Sequence, residues 1–235
     1  MDAGKIAQIK GEGELRFAKA NMTLIGYYAV ILILSFVPTG VGAALGRFAF
    51  LEGSFFGSLI KISVQGLVSL FVIGPLTVGI KRGMLDLKES DDVTGCLFYA
   101  FDGSRYMNIV RGLVLYSLIG VVVAVLNCID EFTQIRILYV PVILTSFGVA
   151  LLQMFVLTFV EHIVAEDNTI SPVAAFNKSI ELTNGHRKDL WNFFLAYLKE
   201  ILICVVTCGL GLFYFVPKFQ CGLTCFYEHL KENEA

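Results

Sequence analysis

The chain has 235 residues, of which 56% are hydrophobic and 16% charged, and its formal net charge is -2. Mean hydropathy is +0.73. A soluble domain is about 45–50% apolar and about 25% charged, so this composition excludes a disordered chain and points to one compact membrane bundle. With no basic excess, nothing in the chain calls for a nucleic-acid partner.

Taken in chain order, residues 4–19 have the spacing of a short amphipathic helix, weakened by Gly11 and Gly13. Crossing a bilayer core takes about 20 apolar residues. Stretches free of Asp, Glu, Lys and Arg place four spans at about 22–46, 57–80, 108–127 and 137–162. Between the second and third, residues 89–105 open with Glu89-Ser90-Asp91-Asp92, a suitable helix N-terminus. Val93 to Phe101 is too short to cross and reads as interfacial or re-entrant. Residues 171–184 read as a cytoplasmic amphipathic helix: Ser171 caps it, Pro172 suits its first turn, Val173, Phe176 and Ile180 share a face, and Asn184-Gly185 stops it. The last apolar stretch, Leu190 to Tyr227, is interrupted only by Lys199, Glu200 and Lys218. Its 38 residues would make a helix about 57 Å long. Gly209 and Gly211 in its middle favour a hairpin of two spans, 190–207 and 211–228; one span, Ile201 to Pro217, is the alternative. The fold class expected is therefore all-α, a polytopic transmembrane helix bundle with six spans, or five on the alternative.

Basic residues give the orientation. Lys5, Lys10, Arg16, Lys19, Lys81, Arg82, Lys88, Arg105, Arg111, Lys178, Arg187 and Lys188 fall on one side, and only Arg47 and Arg136 on the other. The positive-inside rule then puts the N-terminus in the cytoplasm, together with the C-terminus if there are six spans. The basic start does not read as a cleavable signal, because the apolar run after it is too long and lacks a clear cleavage site.

The polar residues inside apolar stretches are the candidates for function. On the hairpin reading Lys199 and Glu200 lie near the bilayer midplane, where a charge costs about 2.5–3.5 kcal/mol on insertion scales and calls for a partner. Lys61 and Gln65 are one turn apart on the second span, and Gln153 lies deep in the fourth. Lys61, Gln65, Gln153, Lys199 and Glu200 form the candidate intramembrane polar cluster. The plainer reading has Lys61 snorkelling and Lys199 and Glu200 interfacial. Cys96, Cys128, Cys204, Cys208, Cys221 and Cys225 read as small packing residues: the two i, i+4 pairs among them lie too far apart in depth for one zinc at about 2.3 Å. Glu161-His162 read as interfacial, with a proton relay as the sharper alternative; His186 follows a helix stop and His229 lies in the charged tail. Gly42-x-x-x-Gly46 could let two helices approach closely. No nucleophile elbow, P-loop, zinc-protease or dinucleotide glycine pattern is present. No enzyme activity, cofactor or metal is expected.

The C-terminal third carries Val164-Ala165-Glu166-Asp167, then Ser171-Pro172-x-x-Ala175-Phe176 and Ser179-x-x-Leu182-x-x-Gly185-His186. Thr207-x-Gly209-x-Gly211-Leu212, Val216-Pro217 and Phe226-Tyr227 follow, and Gly74-Pro75-Leu76, Gly79 and Leu97-Phe98-x-x-Phe101 lie upstream. This order resembles the bacterial membrane family of domain of unknown function 975. That family is distantly similar to the membrane domain of glycerophosphodiester phosphodiesterases. Two departures stand out: Lys199-Glu200 replaces a Gly-Trp pair, and the fourth span lacks the family's Pro-Gly break. The resemblance implies a multi-pass protein of a bacterial plasma membrane and supplies no catalytic residues. The function expected is a non-enzymatic accessory or scaffold role, through the lipid bilayer or a membrane protein partner. The alternative is a small transporter or permease component with a polar intramembrane pathway.

Overall fold

The computed structural model describes residues 1, 3–48, 55–90, 93–133, 136–155, 157–207 and 209–234; these contain helices and no strand. Helix α1 (Ala3–Lys19) leads into α2 (Asn21–Phe48). Then α3 (Phe55–Val68), a π-helical turn (Ser69–Ile73) and α4 (Gly74–Asp86) run on as one rod, followed by a 3-10 turn (Cys96–Phe101). Next come α5 (Gly103–Thr133), α6 (Arg136–Phe155), α7 (Val160–Glu166), α8 (Pro172–Thr183), α9 (Arg187–Ala196), α10 (Leu198–Val206) and α11 (Leu212–Glu234). Among the described residues, three stretches are long and apolar enough to cross a membrane: Asn21–Pro38, Phe55–Asp86 and Gly103–Leu126; Ile143–Gln153 is a shorter apolar helix.

α1 forms as expected and shows why its glycines are tolerated. Ile6, Ile9, Phe17 and Ala20 are buried at helical spacing, with charged residues on the other faces. Gly13 meets Gly222 of α11 where the helices cross: a Cβ at Gly13 would lie 2.4 Å from Gly222 Cα. A Cβ at Gly222 would lie 2.3 Å from the Tyr197 hydroxyl. The helix weakness inferred from glycine is here the condition for close approach.

The second span runs further than its charge-free stretch. It passes Lys81, which is only 2% exposed, and ends at Asp86. Pro75 lacks an amide, and the wide turn just before it re-pairs the backbone, with the Gly74 amide donating to the Ser69 carbonyl. Gly79 and Gly83 receive the 3-10 turn, where a Cβ would come within 2.4 Å of the Cys96 carbonyl and 2.5 Å of its Sγ. Leu97 and Ala100 point into the protein while Phe98 is 68% exposed. Asp91 and Asp92 of the expected helix start lie outside the described residues.

The expected fourth span, 137–162, is not one helix. It stops at Phe155 and restarts at Val160. α8 has the expected cap, with Ser171 Oγ accepting from the Ala174 amide at 3.2 Å, and Gly185 adopts φ 83° just beyond its end. Its buried face is rotated from the one expected: Ala175, Ser179, Leu182 and Thr183 are buried, whereas Val173 is 59% exposed. The last stretch folds as a hairpin. α10 and α11 run antiparallel through Gly209 (φ 89°), with the Gly211 amide bonded to Thr207 Oγ1 at 3.0 Å. The single helix Ile201–Pro217 does not form, and the first arm is broken again at Tyr197 between α9 and α10.

The core sits where α1, α4, α7, α8, α9 and the second half of α11 meet. Phe159, Phe193, Tyr197, Phe226 and Tyr227 are its largest fully buried side chains. Their rings touch in tilted, stacked and edge contacts, such as Phe193 against Phe226 at 5.2 Å and Phe159 against Tyr227 at 5.5 Å.

Candidate functional site

A cavity of about 480 Å³ lies between α3, the π-helical turn, the start of α4, α5 and the α6–α7 junction. Its walls are mostly apolar, including Ile62, Leu113, Val121 and Ala124. Lys61 and Gln65 face it from α3, Ser69 from the π-helical turn and Thr77 from α4. Tyr116 and Ser117 of α5, Gln153 of α6 and Glu161 of α7 complete the polar lining. Glu161 accepts a weak bond from Thr77 Oγ1 at 3.5 Å. Among the described residues, no hydrogen bond or ion pair holds Lys61, Gln65 or Gln153. Half-buried polar side chains on a mostly apolar lining can take a ligand or water as partner.

The close packing around the cavity is local. A Cβ at Gly66 of α3 would lie 3.0 Å from Val121, and one at Gly74 of α4 would lie 2.8 Å from Leu113, so the rod and α5 nearly touch there. Gly120 also lines the cavity, and a Cβ there would meet nothing within 4 Å. The π-helical turn that carries Ser69 is pinned by Tyr106, whose hydroxyl donates to the Phe71 carbonyl at 2.8 Å.

Three of the five residues expected to cluster therefore line one cavity, and two do not. Glu200 lies at the base of the α10–α11 hairpin. It pairs with Lys10 at 2.8 Å and lies 3.7 Å from Lys218, which also pairs with Glu14 at 3.0 Å. Lys10 also donates to the Ala196 carbonyl at 2.7 Å and sits 4.4 Å over the Tyr197 ring. Lys199 is exposed. Adjacent positions on a helix point about 100° apart, and the Lys10 side chain reaching over from α1 meets Glu200. The partner came from the N-terminal helix, 190 residues away in sequence, and no spacing rule reaches that far.

Other polar residues fall into structural roles. The buried Lys81 donates to the half-buried Gln220 of α11, a bond hidden from the sequence because Lys81 marks the apparent end of a charge-free stretch. Glu161 and His162 diverge: Glu161 faces the cavity, while His162 is fully buried and bonds Thr224 at 3.1 Å. They do not form a relay with each other. His186 pairs with Asp189 at 3.0 Å at the start of α9. Cys204, Cys221 and Cys225 are buried and free; among the described residues no His, Cys, Asp and Glu group is placed to hold a metal. The side chain of Cys128, the residue Cys208 and the side-chain surroundings of Gly42 and Gly46 lie outside the described residues.

At the far end of α11, Arg16 pairs with Glu228 and Lys88 with Glu232 at 2.9 Å. Lys231 and the Tyr227 hydroxyl both bond Glu166.

No curated protein and no solved structure matches the chain, so the distant likeness to the phosphodiesterase membrane domain stands without support. The model of one family, described as a protein of unknown function (DUF975), matches residues 13–234, and the chain belongs to that family.

Proposed function

We propose that this is a membrane protein that takes up a small amphipathic ligand in the α3–α5 cavity, as a minor transporter or lipid-handling component without chemistry of its own. One observation carries the reading: Lys61, Gln65 and Gln153 converge on an apolar cavity of about 480 Å³ and are engaged by no described protein group. That volume is within the usual range for small-molecule sites, about 300–1,000 Å³, and so is the mix of apolar wall and few polar groups. The accessory or scaffold role remains as the second reading. It is favoured by the exposed apolar tip of the α10–α11 hairpin, where Val205, Val206 and Leu210 are 71%, 82% and 73% exposed. Such a tip suits lipid or a partner's helix.

In this reading α2, α3–α4, α5, α6–α7, α9–α10 and α11 are six membrane helices, and the protein sits in a bacterial plasma membrane with both ends in the cytoplasm. The excess of basic residues on one side supports the orientation. The packing of α1 along α11, with Gly13 against Gly222, supports both ends lying together.

The test is extraction into native lipid discs followed by mass spectrometry. The expected result is a stoichiometric amphipathic molecule that is lost from Gly120→Leu, a variant that fills the cavity from an open position. A stoichiometric protein partner with no small molecule would overturn this reading in favour of the accessory role.

A further inference from the structure

We infer that the occupant of the cavity is an anionic amphiphile, with its headgroup against Lys61 and Gln65 and its chain along α5. This rests on the ligand-handling reading above and narrows the ligand's chemistry.

The two charged residues of the lining stand at opposite ends. Lys61 and Thr77 lie on one nearly continuous rod, sixteen positions apart, which is about 24 Å at 1.5 Å per residue. Glu161 is at the Thr77 end. At that separation Glu161 gives Lys61 little neutralisation. The stretch between them is faced by Ile62, Gly66, Leu113 and Val121.

Each simpler occupant leaves something unsatisfied. A purely apolar molecule would leave the half-buried Lys61 amine and Gln65 amide without partners on the ligand. A small soluble anion would satisfy Lys61 but leave the apolar wall wet. A zwitterionic headgroup at Lys61 would bring its cation to an end of the cavity where no carboxylate is found among the described lining residues. An anionic head with one apolar chain meets both requirements: Lys61 and Gln65 offer charge and hydrogen bonds at one end, and the α5 wall takes the chain.

The experiment uses the full-length protein in a neutral maltoside detergent, with three probes. Lysophosphatidylglycerol has an anionic head and one chain, lysophosphatidylcholine of equal chain length is zwitterionic, and glycerol phosphate has the head without the chain. Binding is measured for wild type, Lys61→Gln, Lys61→Arg and Gly120→Leu, with thermal melting confirming that each variant is folded. The expected result is that Lys61→Gln weakens lysophosphatidylglycerol about tenfold, the equivalent of about 1.4 kcal/mol. Lys61→Arg should retain binding, lysophosphatidylcholine should be indifferent to position 61, and Gly120→Leu should weaken both lipids. If Gly120→Leu weakens both but Lys61→Gln changes neither, the headgroup assignment fails and the ligand-handling reading survives. If Gly120→Leu changes neither, both fail together. Glycerol phosphate binding as tightly as lysophosphatidylglycerol would replace the amphiphile with a soluble anion.

Discussion

The molecule has two regions that bury apolar surface in different ways. In the body formed by α1, α4, α7–α9 and the second half of α11, aromatic residues interlock. Tyr197, Phe193, Phe226 and Tyr227 are no more than 1% exposed. The outer parts of α2, α3, α5 and α6 are just as apolar but largely uncovered: Phe36 is 70% exposed, Phe56 66%, Leu144 63% and Phe147 62%. Protein covers the first region; lipid is the natural cover for the second. The charges follow the same division. The described ion pairs that link distant parts of the chain, among them Lys10–Glu200, Lys218–Glu14, Arg16–Glu228, Lys88–Glu232 and Lys231–Glu166, belong to the body and its margin. Lys61, in the outer part of the rod, has no such pair among the described residues.

If this contrast is right, substitutions of similar size should separate sharply between the regions. The largest effect belongs to Gly13→Ala. The new methyl would lie 2.4 Å from the Gly222 Cα, and because that atom is backbone the α1–α11 crossing must be forced apart, at a cost beyond the roughly 1–3 kcal/mol usual for overpacking. Thermal unfolding in detergent should show a strongly lowered transition or no folded protein, and an unchanged transition would refute the crossing. Phe193→Ala comes next, at about 3–5 kcal/mol for removing a buried aromatic side chain. The equivalent change on the lipid side, Phe147→Ala, should cost under about 0.5 kcal/mol. Equal losses at 193 and 147 would break the comparison.

Glu200→Gln is intermediate. It leaves Lys10 without its carboxylate, so a loss of about 1–2 kcal/mol is expected. Removing both charges as Lys10→Met with Glu200→Gln should recover part of that loss, because the cost lies mainly in the orphaned partner. A double variant worse than the sum of the single ones would contradict this account. The smallest effect belongs to Glu166→Gln, which removes the carboxylate bonded by Lys231 and the Tyr227 hydroxyl. It should leave thermal melting within about 1 kcal/mol of wild type, as befits a partly exposed pair; a larger loss would place this pair in the body proper.

Much of the fold was legible because membrane helices announce themselves by the absence of charge. The amphipathic α1, the cap of α8 and the glycine turn between α10 and α11 could each be read within a few residues. Failures came where a distant element decided the outcome. Lys81 looked like the end of a span because it is charged, yet Gln220 lets it continue inside the helix. The fourth span lacked a Pro-Gly break and still divides at 155–160. The α8 face was turned because α5 and α7, not local hydropathy, choose which side is covered. For the candidate site, Lys61, Gln65 and Gln153 could be found because each is polar within an apolar run. Glu161 lay at an apparent boundary, and Thr77, Tyr116 and Ser117 are too common in membrane helices to stand out.

The π-helical turn at Ser69–Ile73 acts as a phase corrector. A turn of this kind takes in one residue beyond the α-helical count, and one residue is about 100° of rotation. Upstream, the rod presents Lys61 and Gln65 to the cavity; downstream, it must present Thr77 to the same cavity and Gly79 and Gly83 to the 3-10 turn. A strictly α-helical rod could not meet both sets of neighbours. Deleting a single residue there would swing all of α4 by more than a quarter of a circle relative to α3. One end or the other would then lose its partners, although hydropathy and span length would hardly change.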